Sequence, residues 1–367
     1  MKVATRLPLR LAPRLVNAPV FLRPIHSTTA KPAHVAPIVG TGPPPEPPTP
    51  AEVNVHQRVA RRRKQAEMLK HAQDIRSAKG GKPNPLTKRF WKDVTVQEIG
   101  GHLEIRLDTR SLRHPNTKEI IRIPLSKPDL ASALALEWDL LTSAQDATRQ
   151  HLIPLTSLVC RALDIEEADS LAKEATSEIR AGIATAMMKY LDTDSILCWA
   201  PPAGEHDRRN DAGESLRDVQ KRTAEDIVSF LTTHVWPGIT IKPVLDGHSI
   251  FPQSQDAGVR EVVQGWVTGL DHWELAGLER GVLAGKSLVS AARFVAEWSE
   301  GSVGKGDLNT AKKYGVEEAA LATSLEVDWQ TGQWGEVEDT HDVHKEDVRR
   351  QMGSVALLVS GTSKNAQ

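Results

Sequence analysis

The sequence predicts an α+β protein, a small antiparallel β-rich N-terminal unit followed by an all-helical bundle. Three observations carry this. Between Val94 and Leu125 apolar residues alternate with polar ones, punctuated by Gly100-Gly101 and by 115-PNTK-118. From Pro128 onward the apolar spacing becomes three to four, which is helical. The length, 367 residues of which 40% are hydrophobic, suits one large domain or two modest ones with a real core.

Taken in order, Val94 and Val96 alternate along a first strand, and Gly100-Gly101 supplies a hairpin turn. Leu103, Ile105 and Leu107 form a second strand, and Ile121, Ile123 and Leu125 a third, making a meander with one wet face. Pro128 opens a helix whose stripe is Leu130, Leu134, Trp138 and Leu141. Further stripes are Leu155, Leu158, Val159, Ala162 and Leu163, then Ile179, Ile183, Met187 and Tyr190, then Val219, Thr223, Ile227 and Leu231. An extended piece, 239-ITIKPVL-245, interrupts the helices. Helical spans are then expected over roughly 257–300, 316–330 and 342–359. The polar stretches 203–214 and 301–315 read as surface loops.

The expected division is 1–32 as a mitochondrial transit peptide, 33–86 as a disordered proline-rich and basic linker, 87–153 as the β-rich domain with one helix, and 154–361 as the helical bundle. The first assignment rests on Lys2, Arg6, Arg10, Arg14 and Arg23 set among Leu and Val, with no acidic residue before Glu46. Removal of about thirty residues on import is expected from that pattern. The run 42-GPPPEPPTP-50 cannot enter a helix or a central strand. The basic stretch 58-RVARRRKQAEMLKHAQDIR-76 reads as a solvated helix, since no stacking aromatics are interleaved as an RNA-contacting arm would require.

A formal net charge of −1 argues against a dedicated nucleic-acid binder. Cys160 and Cys198 lack metal-ligand spacing and read as buried thiols of a reducing compartment. No apolar run is long enough to suggest membrane insertion.

The motifs that tempt a catalytic reading are weak. The stretch 281-GVLAGKSLVS-290 ends in Gly-Lys-Ser like a phosphate loop, but only three residues separate Gly281 from Gly285, and Arg280 stands where the first glycine belongs. It also follows a helical pattern instead of a strand, so Gly281 and Gly285 are expected to let another helix approach, with Lys286 facing water or a partner. The segment 336-EVEDTHDVHKED-347 offers His341 and His344 beside Glu338 and Asp342, without a dedicated third metal ligand. Carboxylates capping the last helix are the simpler reading. Ser249 is not in a nucleophile elbow. Asp192 and Asp194 read as turn and cap residues between helices. No catalytic residue, metal or cofactor is assigned.

Tryptophan is in excess: nine, against two tyrosines and five phenylalanines. Trp138, Trp266, Trp273 and Trp298 fall within helical stripes and belong to the core. Trp329 and Trp334 flank 330-QTGQ-333 among Glu326, Glu336, Glu338 and Asp339. An aromatic pair rimmed by acids has the composition of a protein-binding patch, although covering the end of the bundle would use the same residues.

Seven pieces in order, 89-RFWKDVTV-96, 107-LDTRSLRHP-115, 137-EWD-139, 154-PLTSL-158, 190-YLDTDSIL-197, 286-KSLVSA-291 and 334-WGEVEDTHD-342, resemble a known family. It is the mitochondrial assembly chaperone of ATP synthase that handles the alpha subunit of the soluble F(1) head. The resemblance spans roughly 88–345. It implies a β-rich N-terminal domain and an orthogonal helical bundle. It also implies a matrix protein that is not an enzyme, and that shields unassembled alpha subunit from aggregation until the beta subunit arrives, without spending ATP. By the same resemblance Glu326 stands where the family's functional glutamate is expected; Trp329, Trp334, Glu336 and Asp339 are assigned to partner binding with it from the composition of that stretch. Trp138 and Asp139, with Asp108 and Arg110, form its structural motif, Trp138 packing between sheet and helices and Asp139 bracing Arg110 or a helix end. The long polar stretches and the proline-rich extension depart from the usual pattern. The competing reading is a matrix enzyme with an unrecognised site, nucleotide-dependent through Lys286.

Overall fold

The computed structural model describes residues 64, 67, 68, 88–172, 176–304, 313–337 and 340–360. The transit peptide and linker therefore lie outside the described residues, apart from three positions in the basic stretch. Within the described residues the chain forms four strands and then nine α-helices, the α+β order expected.

Strands β1 (Val94–Ile99) and β2 (His102–Leu107) make a hairpin closed by Gly100 and Gly101, whose φ values are 60° and 79°. Two successive positive φ angles match the right-handed twist of the strands, which is why glycines stand there. Beyond β2, the short β3 (Arg110–Ser111) pairs with its Arg106–Leu107 end and β4 (Arg122–Pro124) with its His102–Glu104 end. Both pairings are antiparallel, so β2 is the central strand. Ile105, Ile121 and Ile123 are buried on the covered face. Helix α1 (Pro128–Asp139) lies across β1, β2 and β4 and buries Leu130, Leu134 and Trp138.

The bundle is built around one central helix. Helix α2 (Pro154–Ala172), α3 (Glu178–Leu191), α4 (Leu216–Phe230) and α5 (Ala257–Thr268) precede it. The expected span 257–300 is in fact three helices: α5, the central α6 (His272–Gly285) and α7 (Leu288–Trp298). Helical periodicity continues through all three, but a capping box formed by Asp271 and Glu274 restarts the chain at α6. Lys286, in the left-handed conformation, and the cap Ser287 break it again before α7. Helices α8 (Val316–Trp334) and α9 (His341–Val359) complete the fold, and α6 touches α2, α3, α7, α8 and α9.

The approach of α9 to α6 depends on glycine. A Cβ at Gly277 would come within 2.9 Å of Val359 Cγ1, and one at Gly285 within 2.7 Å of Thr323 Cγ2 and 3.2 Å of Met352 Cε. At Gly281 it would stand 3.2 Å from the Ala291 Cβ. Positions 277, 281 and 285 are four residues apart, so they form one smooth strip along α6 against which α7, α8 and α9 close.

The piece 239–245 is extended but joins no sheet, forming a single parallel bridge between Cys198 and Leu245. The 203–214 stretch is a loop tied by Asn210 to Glu214. The 301–315 stretch ends in a buried Tyr314, whose hydroxyl lies 2.9 Å from Ser290 Oγ. Polarity marked this stretch as a loop and hid that anchor.

Candidate functional site

The residues singled out by the resemblance separate into two places. One is the joint between α1 and α2. Trp138 is buried, its ring 5.5 Å from that of Trp91, and its Nε1 donates to Thr156 Oγ1 at 2.9 Å. Glu137 accepts from the Leu155 and Thr156 amides, both at 2.8 Å, and from the Thr156 hydroxyl at 2.5 Å. That carboxylate therefore caps the start of α2, although it comes from the preceding helix. Burial pushes the Glu137 pKa above the ordinary carboxylate value, and the three donors pull against that rise.

Asp139 braces Arg89, not Arg110: Arg89 Nη1 donates to its carbonyl at 2.8 Å and reaches its carboxylate at 3.4 Å. Asp139 ends α1, and Arg89 leads into β1, so this link ties the far end of the helix to the entry of the sheet. Arg110 instead lies over the Phe90 ring, 5.7 Å from its centroid. Asp108, with a φ of 53°, turns β2 toward β3. Its carboxylate accepts from the amides of Asp93 at 2.9 Å and Lys92 at 3.0 Å, and these backbone donors hold its pKa below the usual value. Trp138 joins α1 to α2 and Asp139 ties α1 to Arg89 before β1, whereas Asp108 and Arg110 make their contacts with Phe90, Lys92 and Asp93 at the entry to the sheet.

The second place is α8. Glu326 is exposed, and Gln330 Nε2 donates to its Oε1 at 3.2 Å. One turn along, Trp329 is half-buried in a groove of about 780 Å³ between α4 and α8. Val219, Thr223, Ile227, Tyr314 and Leu325 help to line it. A smaller recess of about 120 Å³, which includes Glu326 and Gln220, shares Thr223, Ala322 and Leu325 with that groove. Glu326 and Trp329 thus line neighbouring hollows along α8 that share one wall. Two residues of the groove wall, Asp226 and Tyr314, also hold Arg293, which lies 5.0 and 4.6 Å from the ring centroids of Phe230 and Tyr314 and is salt-bridged to Asp226 and Glu297.

Trp334 does not join Trp329 in a single patch. Five helical residues turn the chain through roughly 140°, so the two rings point to different sides. Trp334 is 60% exposed. Glu336, just beyond α8, is bridged with Asp328 through Lys345, at 3.4 and 2.7 Å. That pairing, first of all with Asp328, raises the Lys345 pKa. Asp339 and Glu338 lie outside the described residues.

The remaining motifs have structural places. Gly285-Lys286-Ser287 forms the corner between α6 and α7, with Lys286 exposed and the Ser287 hydroxyl accepting from the Ser290 amide at 3.0 Å. Asp194 reaches this corner from ninety residues away. Fully buried, it accepts from the Ile196, Leu288 and Val289 amides at 3.0, 2.6 and 3.0 Å. Burial pushes its pKa up to about 6 against those donors. Asp192 is salt-bridged to Arg260. Burial pushes the Cys160 thiol up to about 12 and also raises that of the half-buried Cys198. His341 Nδ1 accepts from the Val337 amide at 3.2 Å and so secures the start of α9.

Three features escaped sequence reasoning. The Glu137 cap and the Asp194 link join residues far apart in the chain, and no local spacing announces them. A second cleft of about 780 Å³, lined by the β3–β4 turn, α2 and α6, has no motif at all.

By fold this is a sheet-and-bundle protein of the Atp12 type. The crystal structure of Atp12 from Paracoccus denitrificans superposes with a TM-score of 0.52 at 21% identity, covering 75% of this chain and 98% of that one. A point mutant of the same bacterial protein gives the same TM-score. The family then follows from sequence. The family model described as ATP12 chaperone protein matches residues 88–232. Mitochondrial atp12 of Schizosaccharomyces pombe is 32% identical over 277 residues, 75% of this chain and 83% of that protein. Mitochondrial ATP12 of Saccharomyces cerevisiae is 30% identical over 281 residues, 74% of this chain and 83% of that protein. The chain belongs to the ATP12 chaperone family. Both relatives are named as mitochondrial proteins, in agreement with the mitochondrial localisation expected from the N-terminal arginines.

Proposed function

We propose that this protein is an ATP-independent assembly chaperone of the mitochondrial matrix, which binds the unassembled alpha subunit of ATP synthase F(1) and keeps it from aggregating until the beta subunit replaces it. The observation that carries the reading is the pair of neighbouring hollows along α8. Glu326 is exposed there and does no evident folding work beyond one bond to Gln330. Beside it runs an open groove with an apolar lining and a charged rim. An isolated ring subunit exposes apolar interface that invites aggregation. A groove of this kind can cover part of such an interface, while a polar rim keeps the complex weak enough to be displaced.

Affinity capture from mitochondria tests the proposal. Wild-type protein is expected to recover alpha subunit that has not yet joined the head. Glu326→Lys is expected to lose most of that recovery while melting at nearly the wild-type temperature. Normal levels of soluble assembled F(1) in cells lacking the protein would overturn the reading. Calorimetry with Mg-ATP separates it from a nucleotide-dependent enzyme, since the chaperone reading expects no heat of binding.

A further inference from the structure

The second cleft is built from elements that the α8 hollows do not use. Its walls are the turn 113–116 between β3 and β4, the segment leading from α1 into α2, one face of α2, and α6 at Ala276, Glu279, Arg280 and Leu283. Its charges are unevenly matched. Glu279 is held by Arg161 through two hydrogen bonds of 2.7 and 2.9 Å. Asp164 lies 3.3 Å from His114 Nε2, and His114 Nδ1 accepts from the Asn116 and Thr117 amides at 3.3 Å, which leaves Nε2 to face Asp164. Arg113 stands at the rim with its Nη1 on the Lys118 carbonyl at 2.9 Å.

That leaves Arg280. It is half-buried, and its two side-chain hydrogen bonds go to neutral groups at the long end of the range: Gln351 Oε1 at 3.3 Å and Ser157 Oγ at 3.4 Å. Arg161, Arg180, Arg260 and Arg293, in comparable surroundings, each meet a carboxylate directly. Arg280 does not. Glu279, already engaged, and Asp347 act on it only through space, and burial lowers its pKa in spite of them. A half-buried guanidinium with only weak neutral partners is matched to a fork-like acidic ligand.

The other walls say what carries that acid. Trp138, Ile153, Leu158 and Cys160 provide apolar lining in the same cleft as Arg280, and Leu283 is 53% exposed at the rim. An open trough with apolar and polar walls fits a length of extended chain, whereas a small organic acid is usually enclosed on most sides.

We propose that this cleft is a second binding site, for an acidic polypeptide segment, in which Arg280 receives an Asp or Glu carboxylate and the apolar wall receives a neighbouring side chain. The site is independent of Glu326 and does not rest on the identity of the client.

Fluorescence anisotropy on the purified full chain tests this with a labelled peptide, Gly-Leu-Glu-Leu-Asp-Gly, and its Gln/Asn counterpart. The acidic peptide is expected to bind about tenfold more tightly than the amide peptide. Arg280→Gln should remove that difference, and Arg280→Lys should keep only part of it, since the ammonium lacks the planar fork. Should Arg280→Gln fail to fold, Leu283→Glu at the exposed rim carries the test. It should weaken the acidic peptide severalfold by like-charge repulsion at an unchanged melting temperature. Equal binding of the two peptides, or undiminished binding by a folded Arg280→Gln or Leu283→Glu protein, would overturn the proposal. So would tighter binding of succinate than of the acidic peptide, which would assign the cleft to a small acid.

Discussion

The joint at Glu137–Thr156 and the outer length of α8 contain the same kinds of residue, acids and tryptophans, yet they are used in opposite ways. At the joint every polar atom discussed has a partner within the chain: Glu137 caps α2, Trp138 donates to Thr156, and Asp139 holds Arg89. On α8, Glu326 keeps one exposed hydrogen bond and Trp334 is mostly in solvent. A buried polar group must be satisfied internally or the fold loses stability. An exposed glutamate or tryptophan is under no such demand and is available to another molecule. Motif residues alone do not separate the two roles; the disposition of their hydrogen bonds does.

Substitutions that disturb the joint and the core should act on stability, and those on α8 should not. The largest loss is expected from Trp138→Ala, which removes a buried ring and one of the two hydrogen bonds of the Thr156 hydroxyl. Urea unfolding should show a decrease of about 3–5 kcal/mol. Gly285→Val should come next, at about 1–3 kcal/mol, because its side chain would run into Thr323 and Met352. A fully stable Gly285→Val protein would mean that α6, α8 and α9 pack more loosely than the structure indicates.

Asp194 gives a pH-dependent version of the contrast. Burial raises its pKa from the ordinary carboxylate range to about 6, so the folded state holds this proton more tightly than the unfolded state. The resulting stabilisation is fully present below pH ~4 and is lost as pH rises through ~6. Melting of the wild type should therefore weaken relative to Asp194→Asn across that window, by at most about 3 kcal/mol. A constant difference between the two proteins would assign Asp194 the same protonation behaviour folded and unfolded. The smallest effect on stability should come from Glu326→Lys, within about 0.5 kcal/mol of wild type by thermal melting. A much larger loss would move Glu326 from the binding surface to the framework.

Much of the fold could be read from residue spacing because the forces that set it are local. Val94, Val96, Leu103, Ile105 and Leu107 alternate, the two glycines turn the hairpin, and Leu130, Leu134 and Trp138 face inward along α1. The breaks within 257–300 were harder to see, since the apolar stripe continues across caps made by single residues such as Asp271 and Ser287. β3 is only two residues long and carries no alternation. The candidate surface was less readable still. Glu326 and Trp329 were singled out by resemblance and composition, but the groove beside them needs Val219, Thr223 and Ile227 from α4, about a hundred positions away. Arg280 was visible only as the wrong residue for a phosphate loop. Nothing near it in the chain reveals that Ser157 and Gln351 are its neighbours.

The glycine strip on α6 also sets an order of events. Its surface is closed by α9, whose Val355 and Val359 sit over Gly277 and whose Met352 reaches Gly281 and Gly285. A chain made or delivered from its N-terminus offers that final helix last. Until then the middle of the bundle stays uncovered, with Leu275, Leu278 and Val282 beside a strip awaiting its lid. This member of a chaperone family must therefore pass through a stage in which its own apolar surface is unprotected, and any helper it needs would act before α9 docks.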